Sequence, residues 1–126
     1  MDKVRFLKYY FRICGLLNIF VISSAVPFLF GDLILWQPRN IPVEIMISVI
    51  YFAMGIIMIV SGGNPLRHKS FLDFVIIANI LHAIAMVIYA KNFLHLIVDA
   101  IPIGLMGMLP LLFYPWGLSK LFRYRS

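Results

Sequence analysis

Four side chains able to do chemistry stand in or beside apolar runs: Glu44, His82, His95 and Asp99. Two imidazoles and two carboxylates are donors that zinc, copper and iron sites draw on, and they also serve proton relays. His95 and Asp99 are four residues apart, which puts them on one face of a helix. The set therefore points to a transition-metal site or a proton-handling site. Against these stands a plainer reading. His95 and Asp99 pair with each other and with water at an interface, and His82 donates to a carbonyl or to Asn79, joining two helices. The His-x-x-x-Asp spacing is weak evidence by itself, because many helices carry it by chance. His68 reads as a solvated loop or headgroup contact, and the seven methionines as gap-fillers rather than copper ligands.

Other chemistries lack their residues. There is no Gly-rich phosphate loop after a strand, no Gly-x-Ser-x-Gly, and no Ser/His/Asp set placed for nucleophilic catalysis. Cys14 is the single cysteine, so no intramolecular disulfide can form and the redox compartment is not readable.

The elements that must position the four side chains follow from hydropathy. The chain has 126 residues, 63% hydrophobic and 13% charged, with mean hydropathy +0.98. A soluble domain of this size has too little interior for that much apolar surface. The expectation is a single integral membrane domain over 1–126, an all-α membrane protein folded as a four-helix transmembrane bundle, with the lipid bilayer as its first partner. The net charge of +6 does not suggest nucleic acid, since the basic residues sit at the ends of apolar runs rather than along one face.

The third apolar run organises the rest. Gly62, Gly63, Asn64 and Pro65 break any helix, and Arg67, His68 and Lys69 follow. Ser70 and Asp73 then fit a capping box, each reaching the other's backbone N–H. A span over 71–90 has 20 residues, roughly 30 Å of helix, which matches one hydrocarbon core. Ala78, Asn79, His82, Ala85, Met86 and Tyr89 share one stripe, opposite Ile77, Leu81, Ile84 and Ile88. In lipid the small and polar stripe faces other helices.

The first span is expected over 11–30, kinked near Pro27, with Lys3, Arg5, Lys8 and Arg12 interleaved with aromatics as its interfacial lead-in. A signal peptide ending near Ala25 is the lesser alternative, because the apolar run continues to Phe30. A loop with Asp32, Trp36, Pro38, Arg39 and Asn40 leads to a second span over 42–60, with Pro42 in the first turn and Gly55 as its small residue. The fourth span, 96–117, holds Pro102, Pro110 and Pro115, with Gly104 and Gly107 as a close-packing face. Tyr114 and Trp116 mark its interface, and the tail from Lys120 to Arg125 is basic.

Nine of the eleven Lys and Arg residues lie in the N-terminal segment, the 64–70 loop and the C-terminal tail. The positive-inside rule makes both termini cytoplasmic, in a membrane expected to be a prokaryotic cytoplasmic membrane. Glu44, His95, Asp99 and His82 then fall in the outer half of the bundle, with His82 about 12 Å in from the outer boundary.

The chain resembles a family of small, functionally uncharacterised four-span membrane proteins, mainly bacterial. The resemblance rests on Leu7-Lys8 and Gly15; on Glu44 with Met46, Ile50, Tyr51 and Gly55; on Asn64-Pro65 and His68-Lys69-Ser70; on His82-Ala83 with Met86; and on His95-Leu96 with Asp99. It covers about residues 5–100, and the final helix and tail match least. It implies a four-helix bundle in which the Glu/His/His/Asp set matters, and it implies no activity.

Three functions fit. The first is a non-catalytic accessory or structural subunit of a larger membrane complex, such as an oxidase, monooxygenase or respiratory assembly, since no complete catalytic set is present. The second is a metal- or proton-handling protein that uses Glu44, His82, His95 and Asp99. The third is a small-molecule carrier acting as a homo-oligomer, because four spans enclose little space.

Overall fold

A computed structural model of the chain describes residues 2–35 and 37–113. Trp36, Tyr114, Pro115, Trp116, Gly117 and the basic tail from Lys120 to Arg125 lie outside the described residues. Every described element is a helix: α1 (Lys3–Leu29), a short α2 (Gly31–Ile34), α3 (Ile41–Ser61), α4 (Pro65–Tyr89) and α5 (Phe93–Leu112). All but α2 are long and apolar enough to cross a membrane.

The helix ends differ from expectation where side chains cap or pack. α1 begins at Lys3, well ahead of residue 11. The Asp2 carboxylate accepts from the Val4 N–H at 3.3 Å and caps it. Leu7, Tyr10 and Phe11, at i, i+3 and i+4, are buried, while Lys3, Arg5, Lys8 and Arg12 face outward. The basic segment is thus the amphipathic start of a packed helix.

α4 also begins early. Pro65, whose missing N–H costs nothing in a first turn, opens a 3₁₀ turn over Pro65–His68, and the α-helix runs from Lys69. The expected Ser70 cap is therefore not formed. Ser70 lies inside the helix and is exposed, and Asp73 is buried at 6% exposure. α5 starts at Phe93 because the Asn92 side chain accepts from the His95 N–H at 3.0 Å. Its last described helical residue is Leu112, and the expected limit at residue 117 lies outside the described residues.

The helix distortions sit at proline. The ladder ahead of Pro27 widens to π-helix over Asn18–Ala25, and that ahead of Pro102 over Leu96–Ala100. The N–H groups of Val26, Phe30 and Ile101 reach carbonyls five residues back, at Val21, Ala25 and Leu96. The hydroxyls of Ser23 and Ser24 both donate to the Ile19 carbonyl, at 2.6 and 2.8 Å. Hydroxyls serve backbone acceptors in this way where no water is present.

The four long helices form two hairpins. α1 packs on α3 at Gly15 and Gly55: a Cβ on Gly15 would stand 2.8 Å from the Gly55 carbonyl oxygen, and one on Gly55 would stand 2.7 Å from that of Gly15. α4 packs on α5, with Gly107 against Asn79 and Ile80, and Gly104 against Ala83. The Gly104/Gly107 face is thus used as the sequence suggests, whereas the Gly15–Gly55 crossing is a finding of the structure.

The hairpins join at the end that carries the N-terminus and the 62–64 turn, here the basic end. Leu7, Phe11, Met58, Leu72, Ile76 and Met106 lie in the core there. Phe6 stacks on Phe113 with ring centroids 3.8 Å apart, and the Tyr10 hydroxyl donates to the Met106 carbonyl. No buried member of this cluster comes from α3 before Tyr51 or from α4 after Ile76. The far halves of α3 and α4 are therefore not held together by an apolar core.

Gly15→Ala or Gly55→Ala should destabilise the protein by about 1–3 kcal/mol, the usual cost of overpacking a close contact. Gly104→Ala, whose Cβ would stand an ordinary 3.4 Å from Ala83 Cβ, should be neutral or slightly stabilising. Unfolding midpoints in mild detergent test this; the reverse order would show that α1 and α3 do not cross at these glycines.

Candidate functional site

The far end is built around Arg39. The chain leaves α1 at Phe30, so the last carbonyls of that helix lack amide partners. Arg39 Nη2 donates to the Pro27 carbonyl at 2.9 Å and to Glu44 Oε2 at 2.7 Å. Its Nε donates to both Glu44 oxygens, at 3.2 and 3.1 Å, and Nη1 donates to Asp32 Oδ1 at 2.9 Å. The guanidinium lies so close over Gly31 that a Cβ there would fall 2.5 Å from Nη2.

The placement suits both helix dipoles. A cation sits at the C-terminus of α1, and Glu44 sits in the first turn of α3. Asn40 caps α3 by accepting from the Val43 N–H at 3.4 Å, and Pro42 lies in the first turn as expected. Hydrogen bonds to Glu44 first, and to Asp32 second, raise the Arg39 pKa above its ordinary value, so the fork stays charged. Lys91 Nζ donates to the Gln37 carbonyl at 2.9 Å and ties the loop before α5 to the loop before α3.

Deeper in, Tyr51 on α3 meets His82 on α4. A 2.7 Å hydrogen bond joins the Tyr51 hydroxyl to His82 Nδ1. His82 is therefore not bonded to Asn79, whose amide donates to the Val75 carbonyl of its own helix at 2.7 Å. On α5, His95 and Asp99 are both buried, at 7% and 8% exposure, and they interact electrostatically.

Above the Tyr51–His82 bond the hairpins part around a cavity of about 370 Å³. Glu44 from α3, His82 from α4 and Asp99 from α5 all line it, together with Asn40, Met86 and Tyr89. His95 is not among its lining residues. Among the described residues no three His, Cys, Asp or Glu side chains form a group that could hold a metal ion. Both Glu44 oxygens are engaged by Arg39, and His82 Nδ1 by Tyr51.

Arg39 is named from the sequence in a loop and Tyr51 within the resemblance, but neither is given a part in the site. Arg39 reads as a turn residue, and its signal was the anion on each side, Asp32 and Glu44. Tyr51 is nine residues past Pro42, and His82 stands eight before Ala90, so an antiparallel pair sets them at similar depth.

No protein-family model, curated protein or solved structure matches the chain. Its class is set by the fold: an all-helical integral membrane protein with four candidate spans in a bundle.

Arg39→Lys should lower the unfolding midpoint almost as far as Arg39→Ala, because an ammonium cannot span the Glu44 carboxylate and the Pro27 carbonyl together. Asp32→Asn should change it little, since the Asp32 side chain is 91% exposed against 14% for Glu44. A lysine variant as stable as wild type would show that the fork geometry does not matter.

Proposed function

We propose that the protein binds, and as an oligomer carries, a small and largely apolar molecule in the cavity between its two hairpins. One observation supports this reading: ionisable side chains from three helices share the wall of one largely apolar cavity. Ionisable groups within spans are costly and mark substrate or ion pathways. At about 370 Å³ the cavity falls near the low end of the ~300–1,000 Å³ of small-molecule sites.

Metal or proton handling by Glu44, His82, His95 and Asp99 is the alternative, and three of the four line the same wall. An accessory role in a larger membrane complex draws on apolar side chains left outside the bundle at the helix ends, Phe28, Leu29, Phe93 and Leu112 among them.

One preparation separates the three readings. Purified in mild detergent, the protein should retain a small molecule that is lost from Ala85→Phe, a variant that fills the cavity from an exposed position on its wall. An unchanged complement of bound molecules in Ala85→Phe would overturn the binding reading. Bound metal lost on His82→Ala with His95→Ala would favour the second, and a stoichiometric membrane partner the third.

We infer from the charge distribution that both termini and the 62–64 turn face the cytoplasm, with the cavity toward the outside of a prokaryotic cytoplasmic membrane. Reporter fusions after Lys91 should be active only outside, and fusions after Ser126 only inside; the opposite pattern overturns this orientation.

A further inference from the structure

Resting on the binding reading above, we propose that the cavity takes an amphiphile bearing a protonated amine, with its ammonium against Asp99 and its apolar body along the seam between α3 and α4. The inference rests on how the acidic groups of the far end are matched. Glu44 and Asp32 are answered by Arg39. Among the described residues Asp99 has no such cationic partner on another helix. It is 8% exposed, it lines the cavity, and its Oδ2 makes no hydrogen bond among the described residues. The neighbour that acts on it electrostatically is His95, on the same helix. A buried carboxylate is stable only when paired and hydrogen-bonded, and a ligand ammonium supplies both the charge and the donors.

The rest of the wall fits the same ligand. Tyr89 and Met86 offer an aromatic face and a thioether, both suited to a cation that has shed its water. His82, with Nδ1 engaged by Tyr51, leaves Nε2 without a hydrogen bond among the described residues. Below the cavity a second hollow of about 180 Å³ shares Ile47 and His82 with it and continues down to Met54 and Phe74. The two hollows adjoin at Ile47 and His82 and together extend from a carboxylate at the far end to an apolar seam deeper in the bundle. A head and a tail of opposite polarity match that extent, and Ile47, Ile50 and Ala85, exposed on the lateral side, make it reachable from the lipid.

The test compares three probes of one shape, phenylbutylamine, phenylbutanol and phenylbutanoate, by the ligand-dependent unfolding midpoint of the intact protein in mild detergent. The amine should raise the midpoint saturably, with an apparent affinity at least tenfold above the alcohol, and the carboxylate should have no effect. Asp99→Asn should remove the preference for amine over alcohol, whereas Asp2→Asn, at the basic end, should keep it. Equal binding of amine and alcohol to the wild type would overturn the amine proposal and leave the cavity reading standing. If no probe binds, and Ala85→Phe behaves as the wild type does, both fall. Selectivity in the wild type decides the matter even if Asp99→Asn fails to fold.

Discussion

The carbonyl of Pro27 lies in the last turn of α1, where no helix amide follows to meet it, and Arg39 meets it instead. The last carbonyls of a helix have no amide donor of their own helix and need another partner. Here that partner also carries a charge, and the charge brings Glu44 to the same guanidinium. One side chain therefore joins the C-terminus of α1 to the N-terminus of α3. With the two ends joined, the antiparallel helices have one register in which Gly15 and Gly55 touch backbone to backbone. The short α2 and the close fit of Gly31 under the guanidinium belong to the same device.

The asymmetry of the bundle follows. The second hairpin closes at Gly107 against Asn79 and Ile80, and the two hairpins share a core only at the basic end. That core carries the aromatic contacts of Phe6, Phe11 and Phe71, and the hydroxyl of Tyr10. At the far end the Tyr51–His82 bond is the direct hydrogen bond between α3 and α4. Above it the space between the hairpins is lined by polar and apolar groups rather than filled by core side chains. The bundle is thus packed at one end and parted at the other, and in the parted end the Oδ2 of Asp99 has no hydrogen bond among the described residues.

The same need for internal satisfaction explains the irregular turns. Pro27 and Pro102 each remove a donor from the ladder, and each is preceded by a widened stretch of helix. Ser23 and Ser24 turn their hydroxyls onto one carbonyl, and Asn79 turns its amide onto Val75. Polar residues that look available for function in the sequence are thus partly consumed by backbone. Asp99 differs from them in that no backbone group engages its Oδ2.

The amino-acid sequence by itself determined the all-helical class, the four long apolar helices and the Gly104/Gly107 face, because hydropathy and side-chain size are local properties. The second span differs from its expected limits by one residue at each end. Helix starts at Lys3 and Pro65 were less readable, since each depends on what a few side chains gain by packing or capping. The candidate site divides in the same way. Glu44, His82 and Asp99 were visible as ionisable groups in or beside apolar runs, but Arg39 and Tyr51 were not visible as their partners. Which residue meets which depends on the rotation and register of one helix against another. Those were decided by close backbone contacts at Gly15, Gly55 and Gly107, and only the tertiary structure holds that information.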